Sequence, residues 1–211
     1  KLSDIVPFLE CQVPGGLDID ITGISTDSRR IDNAPGKATL FAAMPGEHVD
    51  GCSYIPSAVE AGAACVLAER LTPSIKATQV IVPDIREALA RTADLVFGEP
   101  SKKLILLGVT GTNGKTTTTY ILEAILKASG ANPGVIGTVN YRYNGKVFAA
   151  PHTIPQAPEL QAILKEMAEG GVTHCVMEVS SHALEQKRVG YCRFRAGVFT
   201  NLTHDHLDYH K

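Results

Sequence analysis

The stretch LILLGVTGTNGKTTTTYILEAIL, residues 104–126, runs from an apolar segment through a glycine-flanked turn into a helical pattern, and its reading decides the fold. A glycine-rich turn that opens a helix aims backbone N–H groups and the positive helix end at one point, which suits the phosphates of a nucleotide. Against the phosphate-loop template G-x-x-x-x-G-K-S/T, Gly114-Lys115-Thr116 match, while the first glycine position is Val109 with Gly108 and Gly111 nearby. The upstream strand and downstream helix are both present, so the mechanism survives the altered spacing. Loop amides would cradle phosphates, Lys115 would neutralise their outer oxygens, and Thr116 would ligate Mg²⁺. The competing reading is a glycine-rich turn with an exposed lysine. Thr117, Thr118 and Thr119 read as helix surface.

Downstream, strand and helix alternate: a helix over 115–129, PGVIGTV, a hairpin YRYNGKVF with Asn-Gly at its turn, a helix over 158–169, HCVMEV and AGVFTNL. Strands separated by helices imply parallel βαβ units, with a ligand at the carboxyl ends of the strands. Upstream, TLFAAM, YIPSAVEAG, ACVLAE, QVIV and DIREALARTADLVFG read as a small α/β domain, whose last helix has Asp84 as N-cap and Gly98 as stop. The polar turn Gly98-Glu99-Pro100-Ser101 marks a boundary. The expected domains are therefore 1–98 and 99–211, the second P-loop-type with a mainly parallel sheet. A chain of 211 residues with 44% hydrophobic content can bury such cores, and a net charge of −2 argues against nucleic acid as partner. Five cysteines with no CxxC pair argue against a disulfide framework and for a reducing, cytoplasmic setting. No apolar run approaches the roughly 18 residues of a membrane helix.

Two further constellations carry chemistry. HCVMEVSSH, residues 174–182, ends an apolar strand in Glu178, where a carboxylate can hold Mg²⁺; Ser180, Ser181 and His182 should follow in a loop that meets a substrate. The alternative for Glu178 is a solvated strand end. FTNLTHDHLDYHK, residues 199–211, gathers His204, His206, His210, Asp205 and Asp208. It nearly spells the metallohydrolase pattern H-x-H-x-D-H, but Tyr209 stands where the last histidine belongs.

In this order and on successive strand ends, TGTNGKTTT, MEVSSHAL and FTNLTHDHLDYH resemble the Mur ligase family of ATP-dependent peptidoglycan-precursor ligases. TDSRRIDNAPGKATLFAAMPGEHVDG, residues 26–51, resembles the family's uridine-binding segment. The likeness is greatest to the member that adds the third peptide residue. His204 stands where relatives usually have Arg, and His152-Thr153-Ile154 where they often have Asn-Thr-Thr.

The resemblance implies that ATP phosphorylates the D-Glu side of a UDP-N-acetylmuramoyl dipeptide and that an amino acid's amine displaces the phosphate, in cell-wall biogenesis. It assigns ATP to Gly111, Thr112, Asn113, Gly114, Lys115, Thr116 and Thr117, and catalysis to Lys115, Glu178 and His206. It assigns Mg²⁺ to Thr116, Glu178 and His206. The uridine end falls to Ser28, Glu47, His48 and Val49, and the sugar-peptide end to Thr153, Ser180, Gln186 and Arg188. The family's carbamylated lysine and its C-terminal domain would lie beyond residue 211, so a longer, monomeric enzyme is expected and this chain alone is expected to be inactive. A folate-polyglutamating ligase, a metallohydrolase and a non-catalytic nucleotide-binding module remain as alternatives.

Overall fold

A computed structural model describes residues 1–46, 49–150 and 153–203, in two compact units, Lys1–Val96 and Phe97–Lys211. The division falls two residues before the boundary read at Gly98, because the helix that closes the first unit ends at Val96.

The first unit contains α1 (Leu2–Ile5), β1 (Gly23–Ser25), β2 (Thr39–Ala42), α2 (Ile55–Glu60), β3 (Cys65–Ala68), β4 (Thr78–Ile81) and α3 (Ile85–Val96). Its four strands form a wholly parallel sheet in the order β1-β2-β3-β4. β2 and β3 are buried at every residue, the unbroken apolar pattern of a strand covered on both faces. Asp84 caps α3 as expected, its Oδ1 accepting from Glu87 N–H at 2.9 Å, and Gly98 takes φ +78 beyond the helix end. β1 and α1 were not expected: three or four residues with no clear alternation leave no periodic signal.

The second unit contains β5 (Ile105–Thr110), α4 (Lys115–Ala128), β6 (Pro133–Ile136), β7 (Asn140–Tyr143), β8 (Lys146–Ala149), α5 (Ala157–Glu169), β9 (His174–Glu178), α6 (Ser181–Glu185) and β10 (Phe194–Phe199). Its sheet has the order β10-β5-β9-β6-β7-β8, parallel from β10 to β6 and antiparallel beyond. The expected α/β class and mainly parallel sheet are thus present, as is the hairpin, where Asn144 (φ +50) and Gly145 (φ +74) supply the left-handed pair of a tight turn. Alternation along the strands sorts the core. Leu106, Cys175, Met177 and Ile136 pack with Leu160, Leu164 and Met167 of α5, while Val109, Val176 and Val135 pack with Leu122 and Leu126 of α4. Glu178, two residues after Val176, therefore lies on the α4 face. Three details differ from the expectations. Thr119 is buried and donates to the Thr116 carbonyl at 2.7 Å, so it is not helix surface. β6 stops at Ile136, and β10 runs from Phe194 to Phe199. The five cysteines are free.

Candidate active site

The parallel register brings four strand ends to one place. Val109 pairs with Glu178, Ile136 with Met177, and Phe199 with Thr110, so the segments after β5, β6, β9 and β10 emerge side by side. These are the carboxyl ends, where open α/β sheets bind ligands.

The loop after β5 begins at Gly111 (φ +124) and ends at Gly114 (φ +84), which serves as N-cap of α4. Gly111 is required twice over. A Cβ there would lie 2.3 Å from Thr200 Oγ1 and 2.7 Å from the Asn201 carbonyl oxygen, in a conformation side chains rarely adopt. The close approach reflects a clamp from the segment after β10. The Asn201 carbonyl accepts from Thr112 N–H at 2.9 Å, its Oδ1 accepts from Asn113 N–H at 3.0 Å, and its Nδ2 donates to the Asn113 carbonyl at 3.1 Å. Thr200 Oγ1 lies 2.7 Å from the same carbonyl, and the Thr112 hydroxyl bonds the backbone of Thr203.

The clamp corrects the expected role of two amides. Those of Thr112 and Asn113 are spent on Asn201, whereas those of Lys115, Thr116 and Thr117, in the first turn of α4, have no acceptor among the described residues. The donors left open to an anion are thereby those at the helix start. Lys115 does not extend into solvent. Its ammonium donates to the carbonyls of Gly111 (2.7 Å) and Thr112 (2.9 Å), folded over the turn it would serve.

Glu178 is 1% exposed. Its Oε1 accepts from Thr138 N–H at 3.0 Å; its Oε2 accepts from the hydroxyls of Thr138 and Thr116, each at 3.0 Å. It is no solvated strand end. All three donors are neutral, and among the described residues no cationic side chain pairs with it. A buried carboxylate without a counter-charge, beside a helical threonine hydroxyl, is a hard-oxygen donor set that fits Mg²⁺. Among the described residues no cluster of three or more His, Cys, Asp or Glu could hold a metal by itself. His206, like His152, His204, Glu47 and His48, lies outside the described residues.

The remaining expected residues are placed as follows. Thr153 Oγ1 is 3.1 Å from Thr138 Oγ1, within one hydroxyl of Glu178. Ser180 is not in a loop: with Ser181 and His182 it starts α6, its hydroxyl accepting from Ala183 N–H at 3.2 Å as N-cap. Arg188 donates through Nε (3.0 Å) and Nη2 (2.7 Å) to Gln186 Oε1, and through Nη1 (2.7 Å) to the Ile154 carbonyl. The fork thus ties the segment after α6 to the one carrying Thr153. In the first unit, Ser28 and Val49 line a cavity of about 650 Å³ with Phe41, Tyr54, Asp27 and Arg29. Arg29 holds Asp27 with both arms of its fork (2.9 and 2.8 Å), and this hydrogen-bonded pairing lowers the Asp27 pKa to about 2.

A further ion cluster, absent from the expectations, joins α4 to β7. Arg142 donates to Glu123 Oε2 through Nε (2.9 Å) and Nη2 (2.6 Å), Lys127 donates to Oε1 (2.7 Å), and the guanidinium lies 4.0 Å from the Tyr120 ring centroid. Burial would raise the Glu123 pKa, but Arg142 and Lys127 together carry it below the ordinary value. No helix among the described residues is long and apolar enough to cross a membrane.

A mainly parallel sheet with a lysine-bearing turn before a helix, and a strand-end carboxylate against that helix, defines a P-loop-type domain. Residues 109–211 match the model of the Mur ligase middle domain, and residues 20–97 that of the Mur ligase family, catalytic domain. The chain belongs to the Mur ligase family. A Geobacter sulfurreducens protein named UDP-N-acetylmuramoyl-L-alanyl-D-glutamate--2,6-diaminopimelate ligase is 46% identical over 213 residues, spanning 100% of this chain and 41% of that protein. A Gloeobacter violaceus protein of the same name is 50% identical over 195 residues, spanning 92% of this chain and 39% of that protein. The solved structure of a ligase of that name superimposes with a TM-score of 0.74 at 28% identity, covering 90% of this chain and 38% of the other. The chain thus spans about two fifths of the length of the relatives it matches.

Proposed function

We propose that the protein of which this chain is part is an ATP-dependent ligase that adds the third amino acid to UDP-N-acetylmuramoyl-L-Ala-D-Glu, in the cytoplasm. 2,6-Diaminopimelate, named for both relatives, is the proposed acceptor. The observation that carries the reading is the meeting of Lys115, Thr116 and Glu178 at the carboxyl ends of β5 and β9. Moving a phosphoryl group onto a carboxylate brings two anions together, so the site must supply positive charge and fixed donors. The free amides of the first turn of α4 and the Lys115 ammonium supply them, the ammonium exchanging its two loop carbonyls for phosphate oxygens. Glu178 and Thr116 would hold Mg²⁺, which would supply positive charge to the phosphate oxygens. The amine of the incoming amino acid then attacks the acyl carbon of the resulting acyl phosphate, so that the amide bond forms as the bond to phosphate breaks and inorganic phosphate leaves.

The cavity at Ser28 and Val49 is the proposed uridine site, with Glu47 and His48 next to Val49 in sequence. The sugar-peptide end is assigned to Thr153, Ser180, Gln186 and Arg188. For Ser180 and Arg188 the proposed part is now chiefly to shape the segments that meet the ligand, since both already hold backbone groups. The test is phosphate release by the natural full-length protein with ATP, Mg²⁺, either the UDP-muramoyl dipeptide or a folate, and each of diaminopimelate, L-lysine and L-glutamate. Release that requires the dipeptide and diaminopimelate supports the reading. Turnover on a folate with L-glutamate, or none on any acceptor, rejects it.

A further inference from the structure

Thr138, next but one after β6, is committed to Glu178 twice, by its N–H and by its hydroxyl proton. The same hydroxyl oxygen is 3.1 Å from Thr153 Oγ1. A threonine hydroxyl has one proton to give and two lone pairs to accept with. Because the Thr138 proton goes to the carboxylate, the 3.1 Å contact is a hydrogen bond only when Thr153 is the donor. The proton of Thr153 then points inward, and what it presents outward is lone pairs alone.

We infer that Thr138 is a positioning residue for two groups at once. It fixes the carboxylate of Glu178 against Thr116, and it turns Thr153 into an acceptor. The ligand group that Thr153 recognises is therefore an N–H or O–H donor, such as a peptide amide or a sugar hydroxyl, and not a carboxylate. An ionised carboxylate has no proton to share and would meet lone pairs facing lone pairs. This inference rests on the reading that Thr153 faces the UDP-muramoyl dipeptide.

The test uses the natural full-length protein and Thr153→Val, Thr138→Val, Thr138→Ser and the double valine variant. Calorimetry measures binding of the UDP-muramoyl dipeptide without metal or nucleotide, and, separately, the Mg²⁺ concentration that half-saturates the gain in ADP affinity. Thermal melting checks that each variant folds. Thr153→Val should weaken the dipeptide about fivefold, the worth of one neutral hydrogen bond, and leave the Mg²⁺ midpoint unchanged. Thr138→Val should weaken the dipeptide by a similar factor and also raise the Mg²⁺ midpoint several-fold. Thr138→Ser, which keeps the hydroxyl, should restore both. The double variant should bind the dipeptide no more weakly than Thr153→Val, since Thr138 acts on the ligand only through Thr153. Wild-type dipeptide affinity in Thr138→Val, additive losses in the double variant, or wild-type affinity in Thr153→Val would each overturn the inference. The ligation assay above judges the ligase reading separately, because a failure here leaves phosphate release intact.

Discussion

Replacing Gly137 by alanine should impair metal binding without removing a charged or phosphate-facing group. Gly137 lies outside the left-handed region, so its backbone tolerates a side chain and the effect comes from the close approach alone. An added Cβ would stand 2.4 Å from Glu178 Oε1 and 3.2 Å from its Cδ. Ordinary carbon contacts are about 3.5–4.0 Å, so the carboxylate must retreat by about 1 Å. It has little room to do so, because Oε1 accepts from Thr138 N–H and Oε2 from two hydroxyls. Overpacking of this kind costs about 1–3 kcal/mol. Metal–oxygen distances are held to about 0.2 Å, so the displacement is several times the tolerance. The Mg²⁺ concentration that half-saturates ADP binding should rise on the order of 10–100-fold. Calorimetric Mg²⁺ titration of the full-length Gly137→Ala variant, with a thermal melt beside it, is the assay. A cooperative melt with an unchanged Mg²⁺ midpoint would refute the idea that this close contact sets the carboxylate.

Asn201→Ala removes two hydrogen bonds from Asn113 and loosens the turn that Lys115 spans. ADP affinity should fall by up to about thirtyfold, from two bonds worth roughly 1 kcal/mol each, and calorimetry showing no loss would make the clamp incidental. Asp27 has a folded-state pKa lowered to about 2 from 3.8, so its pairing with Arg29 contributes stability above about pH 4 that disappears as pH falls towards 2. Melting temperatures of wild type and Asp27→Asn should differ at pH 5 and draw together as pH falls from 4 through 2; a constant gap would contradict this. Glu123→Ala strands a guanidinium that is only 15% exposed and should cost about 3–5 kcal/mol in urea unfolding. Glu123→Leu combined with Arg142→Leu should recover most of that loss.

The turn from Gly111 to Thr116 and the strand end at Glu178 were legible because each sits at a change of period, where an apolar run stops and a polar residue follows. The Asn-Gly hairpin was legible for the same kind of local reason. What escaped was everything that depends on strand order. Thr200 and Asn201 reach the turn only because β10 lies beside β5, and Thr138 reaches Glu178 only because β6 lies beside β9. No spacing along the chain encodes those neighbours, and small polar residues after a strand look alike until the sheet is assembled. The Glu123–Arg142 pair is hidden in the same way, since its partners are 19 residues apart on a helix and a hairpin. The fold of Lys115 back over its own loop was hidden as well, because the side-chain length that permits it leaves no mark on the pattern. Ser180 shows the limit of composition: a serine-rich stretch after a strand served equally well as a loop and as a helix cap.

The central claim is that Glu178, with Thr116, holds the Mg²⁺ that steadies a nucleotide on the turn before α4. The most direct test is ADP binding by calorimetry, with and without Mg²⁺, for the full-length wild type and for Glu178→Gln. Glutamine keeps the shape and can accept from Thr138 N–H while the two hydroxyls turn to accept from its amide, so the fold should survive. The account predicts equal ADP affinity for both proteins in metal-free buffer, and a gain on adding Mg²⁺ in the wild type that is absent from the variant. A Glu178→Gln protein that gains as much from Mg²⁺ as the wild type would contradict it.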